Sequence, residues 1–222
     1  LTAVGSDNGI TIMANDVTID LNGFTLRGPG VQFVSQGIAG TALHNITIKN
    51  GVIENFWTGM NLYQVDTSRV ERITVRLYAN LGIDIGASSI VQDCIFDGGG
   101  TAAGGISVGN RTVVRRCSVL GHLYSGVSAR TYAVIEDNQI FDNDINDLTA
   151  GIYAADNDVV IRNNHLRNAG GRDVQVASGL RAVIISNVLS NCASLSLLGG
   201  GFDFAPLQGQ KHSNITRSQG YC

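Results

Sequence analysis

Gly126-Val127-Ser128-Ala129-Arg130-Thr131-Tyr132-Ala133-Val134-Ile135-Glu136-Asp137-Asn138-Gln139-Ile140-Phe141 reads as one turn of a coil. Gly126 to Ala129 alternates in and out with the two-residue period of a short strand. Arg130–Tyr132 makes a corner, Val134-Ile135-Glu136 a second strand, Asp137-Asn138 another corner, and Gln139-Ile140-Phe141 a third strand. The loop over residues 142–150 leads to Gly151-Ile152-Tyr153-Ala154, where the pattern restarts. Three short strands and three corners describe a triangle.

Outward from that turn the pattern recurs. Upstream stand Gly37-Ile38, Gly59-Met60-Asn61-Leu62, Gly82-Ile83-Asp84-Ile85 and Gly105-Ile106-Ser107-Val108; downstream stand the degenerate Asp173-Val174-Gln175-Val176 and Ser194-Leu195-Ser196-Leu197. Copies are 21 to 25 residues apart. A fixed period of this size means one supersecondary unit stacked on itself. Stacking equivalents predicts interior rows Ile83/Ile106/Val127/Ile152/Val174 and Val75/Phe96/Val119/Ile140/Leu166/Leu189. One corner row reads Cys94, Cys117, Asn138, Asn164, Asn187, where stacked amides can bond to each other and to the turn backbone. A charged outer row reads Lys49, Glu71, Gln92, Arg115, Glu136, Arg162.

The composition agrees. Of 222 residues, 15% are charged and 44% hydrophobic, as in an ordered, core-rich chain. The net charge is −3, which argues against a phosphate-neutralising face and so against nucleic acid. No apolar run approaches the ~18 residues of a membrane span. There are 28 glycines and 2 prolines; the fixed repeat glycine is expected to supply a tight corner or a positive φ, and scarce proline suits continuous ladders. The chain starts at Leu1, as a mature or trimmed chain does. Residues 1–198 are read as one solenoid and 199–222 as a C-terminal cap or tail.

Asp16-Val17-Thr18-Ile19-Asp20-Leu21-Asn22-Gly23-Phe24-Thr25-Leu26, followed by these turns, resembles the right-handed parallel β-helix proteins of the pectate-lyase-like superfamily from about Gly9 to Leu198. The fold expected is therefore all-β, a single right-handed parallel β-helix of about eight or nine coils of ~22 residues. The resemblance implies an extracellular, surface or periplasmic protein whose polymer substrate lies along one flat face. It leaves activity open, because one fold hosts many functions.

On that face the outward row of the first strand is Ala39, Asn61, Asp84, Ser107, Ser128, Tyr153, Gln175, flanked by Tyr63, Arg130, His122, Tyr124 and Tyr132. Aromatic rings beside amides and an acid suit sugars, so Asn61, Tyr63, Asp84, Tyr124 and Gln175 are the expected binding residues. A polysaccharide lyase would need a base and a cation, for which Tyr153 or His122 and Arg130 are the candidates. A glycosidase needs two carboxylates, and the first-strand rows offer only Asp84, which argues against hydrolysis. Asp142-Asn143-Asp144-Ile145-Asn146-Asp147 offers oxygens for Ca²⁺ but lacks the glycine and late glutamate of an EF-hand loop; no other cofactor is expected. His44, His122, His165 and His212 have no metal-ligand spacing.

Cys94 and Cys117 share a coil position and are expected as buried thiols, whereas Cys192 and Cys222 are expected to bridge the tail to the last coil. Only residues 1–8 precede the first strand, too few for a helical cap. An alternative function follows: a structural or adhesive subunit that stacks end to end on other copies of itself through Leu1, Phe202, Phe204 and Tyr221.

Overall fold

The computed structural model describes residues 1–146, 148–177 and 181–190, together with the backbone of the strands Ser194–Leu197, Asp203–Phe204 and Asn214–Arg217. Every regular element among them is a strand, and named strands pair only in parallel. The chain coils through about seven turns with ~23-residue spacing, slightly fewer than the repeat count suggests. The first strands of the turns lie in one ten-stranded sheet that extends from Ile10–Thr11 through Leu81–Ile85 to Asn214–Arg217. The second and third strands share a fifteen-stranded sheet, because in Thr47–Glu54 and Arg69–Arg76 they run on as one strand.

The turn quoted above lies where the sequence puts it, in strands Val127–Ala129, Val134–Glu136 and Gln139–Phe141. The ladders hold register. Asn61 pairs with Asp84, Asp84 with Ser107, Ser107 with Ser128, Ser128 with Tyr153, and Tyr153 with Gln175. The interior row from Val75 to Leu189 and the charged row from Lys49 to Arg162 are likewise in register. A parallel ladder copies a residue's inward or outward sense to the next rung, so the apolar rows fuse into one core running the length of the coil.

At one corner the amides form a chain. Asn138 Nδ2 donates to Asn164 Oδ1 at 2.9 Å and to the Val114 carbonyl at 3.0 Å. Asn164 Nδ2 donates to Asn187 Oδ1 at 3.0 Å and to the Ile135 carbonyl at 2.8 Å. Each Oδ1 also accepts the backbone N–H of the residue one rung before, as Asn138 Oδ1 does for Cys117 at 2.9 Å. Cys94 and Cys117 continue this row as free, buried thiols, and burial pushes the Cys94 thiol well up from its ordinary pKa, with Cys117 adding to it.

The repeat glycine works differently from expectation. Gly37, Gly59, Gly82, Gly105, Gly126 and Gly151 do not have positive φ. A Cβ at Gly59 would overlap Val75 and the Gly82 carbonyl of the next rung, Gly37, Gly82 and Gly105 are crowded in the same way, and at Gly126 and Gly151 the next rung's carbonyl would stand 3.0 Å from it, so glycine is there to let rungs approach. Left-handed corners fall instead to Asn50, Arg72, Asp93, Arg116, Asp137, Asn163 and Ser186, all with φ between 51 and 58°. Asn and Asp tolerate that region best among residues with a Cβ. Arg116 is held there by two bonds from its guanidinium to Asp93, at 2.7 and 2.9 Å.

Candidate functional site

Two residues beyond the outward first-strand row, successive turns place Tyr63, Gly86, Gly109 and Arg130. Two large side chains thus stand three rungs apart, about 14 Å at strand spacing, with two glycines between them. Neither glycine can be enlarged freely: a Cβ at Gly86 would overlap Asp66 Oδ1 and the Val65 backbone, and one at Gly109 the backbone of Gly86 and Ala87. The result is an open cleft of about 360 Å³, whose lining includes Tyr63, Asp66, Asp84, Ser107, Asn110 and Arg130.

The floor is rigid. Ser68 and Ser89 hydroxyls each accept the backbone N–H of the residue at the same corner one rung earlier, at 2.9 and 3.1 Å. The Thr112 hydroxyl donates to the Gly86 carbonyl at 3.0 Å. All three side chains are buried. Asp66 Oδ1 accepts the Ala87 N–H at 2.7 Å, which seats that carboxylate at the cleft edge.

Asp84 is half-buried, and burial raises its pKa, opposed by the Ser107 hydroxyl and the positive charge of Arg130. The Arg130 guanidinium is 66% exposed and stands 3.9 Å from Asp156, a loose pairing that leaves donors for a ligand. Tyr63 is 55% exposed. Its ring offers an apolar face while the acids, amide and guanidinium offer hydrogen bonds.

Of the residues singled out in the sequence, the cleft gathers Tyr63, Asp84 and Arg130. Asn61, Tyr153 and Gln175 lie on the same outward row but outside the cleft lining; Asn61 Oδ1 accepts the Tyr63 N–H at 3.3 Å, and Gln175 Oε1 accepts from Arg172 at 3.4 Å. Tyr124 is exposed on a corner loop outside the lining. His122 is inside the coil. Gly121 at φ 71° accompanies a register break against strand Ile95–Ala102 and turns the ring inward. There Tyr78 Oη lies 2.5 Å from Nε2 and Asn143 Oδ1 2.6 Å from Nδ1. The Asn143 amide is committed as a donor to the Val119 carbonyl, so Nδ1–H donates to Oδ1 and the Tyr78 hydroxyl donates to Nε2. Burial lowers the His122 pKa to about 4 despite the Asn143 bond and the nearby Asp97.

Asp66 is the cleft residue that reading rows did not reach, because it belongs to the short strand Val65–Asp66 across the corner. Its signal was the Gly86/Gly109 pair between two large side chains. The acidic stretch from Asp142 is largely committed to the fold: buried Asp144 accepts from Leu148 N, Thr149 N, the Thr149 hydroxyl and Gly171 N, while Asp142 accepts from Asn168. Asp147 lies outside the described residues, among which no three His, Cys, Asp or Glu side chains gather as a metal site. The expected Cys192–Cys222 bridge, Phe202 and Tyr221 also lie outside them, as does the side chain of Phe204, whose backbone pairs with Ile184. Leu1 is exposed, its carbonyl accepting the Arg27 N–H at 2.9 Å. No helix among the described residues is long and apolar enough to cross a membrane.

A continuous right-handed coil with an open cleft beside its first-strand face defines a class, and comparison with known proteins agrees. The family described as "Right handed beta helix region" matches residues 78–190, just over half of the chain, and the protein belongs to that family. No curated protein matches the sequence. Among solved structures, an alginate lyase from Paenibacillus sp. str. FPU-7 superposes with a TM-score of 0.71 at 15% identity, covering 97% of this chain and 90% of its own. The mannuronan C-5 epimerase A-module of Azotobacter vinelandii gives 0.55 at 13%, covering 98% and 80%. A tailspike mutant of E. coli bacteriophage HK620, in complex with a pentasaccharide, gives 0.50 at 12%, covering 94% and 42%. At these identities the likeness is one of fold.

Proposed function

We propose that the protein binds a polysaccharide along its first-strand face, outside the cell or in the periplasm, and grips a short run of sugars between Tyr63 and Arg130. The observation that carries this reading is the glycine-floored cleft itself, with an exposed ring at one end, an exposed guanidinium at the other and Asp84 and Asp66 along its side. A sugar chain needs such a trough: apolar ring faces pack on the aromatic, and hydroxyls bond to fixed polar groups. That β-helix proteins of the same architecture include an alginate lyase and a tailspike holding a pentasaccharide supports the reading.

Binding to immobilised polysaccharides tests it. Tyr63→Ala and Arg130→Ala should each weaken retention by about tenfold, the loss of one good contact of ~1.4 kcal/mol. Unchanged retention in both variants would sink the assignment to this cleft.

A further inference from the structure

The first-strand rows argue against glycoside hydrolysis because they hold one acid. The structure adds a second acid from across the corner. Asp66 and Asp84 come from successive turns and from opposite sides of a corner, and both line the same cleft. They are held differently. Asp84 is half-buried, with the Ser107 hydroxyl favouring its charged form, whereas Asp66 is exposed and fixed by the Ala87 N–H. The missing Cβ at Gly86 leaves the space that Asp66 Oδ1 occupies.

We propose that Asp84 and Asp66 are the acid and base of a glycoside hydrolysis in this cleft, a step that rests on the cleft being a polysaccharide site. The Asp84 carboxyl gives its proton to the glycosidic oxygen as the bond from that oxygen to the anomeric carbon breaks. The Asp66 carboxylate takes a proton from a water whose oxygen bonds to the same carbon. One water is consumed, one reducing end and one free hydroxyl are formed, and both carboxyls return to their starting states through solvent. Partial burial favours a carboxyl that keeps its proton, which is what the acid requires. Tyr63 and Arg130, at the two ends, position the chain across the pair.

The same lining points to the substrate's charge. The Asp66 carboxylate lies in the same cleft as the Arg130 guanidinium, and Asp156 already stands beside that guanidinium. A polyuronate entering the cleft would bring further negative charge against the Asp66 and Asp156 carboxylates, so a neutral glycan is the class admitted.

The test uses the whole chain with neutral α-glucan, β-glucan, mannan and galactan, and with alginate and polygalacturonate. Retention on each polymer, release of reducing ends and ultraviolet absorbance of unsaturated sugars are measured together. The expected result is reducing ends from a neutral polymer with no absorbing product. Asp84→Asn and Asp66→Asn should each slow release by roughly 100-fold or more, with an unchanged far-ultraviolet dichroism spectrum. Retention without release, release with absorbing product, or full rates in either variant overturns hydrolysis and leaves the binding reading standing, whereas non-absorbing release from uronate polymers alone overturns the neutral-glycan class. No retention of any polymer overturns both.

Discussion

Two corners of the coil handle polar groups in opposite ways. At the Asn138–Asn164–Asn187 corner every amide is buried and both its ends are used within the protein, rung to rung and to strand carbonyls. At the corner beside the cleft the buried hydroxyls of Ser68, Ser89 and Thr112 play that part. Around them, Tyr63, Asp66, Asn110 and Arg130 face solvent. One corner holds the stack together; the other holds a surface in place. Polar side chains that satisfy one another in the interior stabilise a fold, whereas fixed polar groups left open in a concavity are what a ligand can use.

The contrast makes predictions that descend in size. Asn164→Ala removes one donor pair and one acceptor pair from buried partners, and should cost about 4 kcal/mol in urea unfolding, at ~1 kcal/mol for each lost bond. Retention of polysaccharide by the folded fraction should be unaffected. His122 is next. With its pKa at about 4 in the folded chain against 6.5 unfolded, the unfolded state takes up a proton first as pH falls. Stability should therefore be full above pH 6.5 and decline toward pH 4, by about 3 kcal/mol if nothing else titrates. Urea titrations across that range measure the slope, and a flat profile would show that the ring is not held neutral. Arg162→Ala on the charged outer row breaks an exposed pair with Glu136 and should cost less than ~1 kcal/mol, fading with added salt. Tyr63→Ala should be smallest, within ~0.5 kcal/mol in stability, because its ring stands in solvent. A large cost there would make Tyr63 part of the fold and erase the distinction between the corners.

The sequence showed a good deal of this. The period located the strands, and since a parallel ladder copies register without slippage, rows read by counting residues matched the pairings from Asn61 to Gln175 and from Val75 to Leu189. The stacked amides were visible for the same reason. Counting failed where the backbone departs from simple alternation. The left-handed Gly121 flips His122 from a surface candidate to a core group, a change that no in–out pattern carries. It also failed for the repeat glycines, whose role depends on how closely the next rung approaches rather than on their own φ. Asp66 was overlooked because the cleft takes residues from both sides of a corner, while a row takes them from one.

The Tyr63–Gly86–Gly109–Arg130 row also has a consequence for how such proteins diverge. Its two walls are separated by whole turns of chain, each nearly self-contained and in contact chiefly with its neighbours. Duplicating or deleting one turn between them would lengthen or shorten the trough by a single step of about 4.8 Å and leave both walls intact. Ligand length in this architecture is thus inherited in discrete increments, adjustable by slippage of a repeat in the gene rather than by redesign of a pocket.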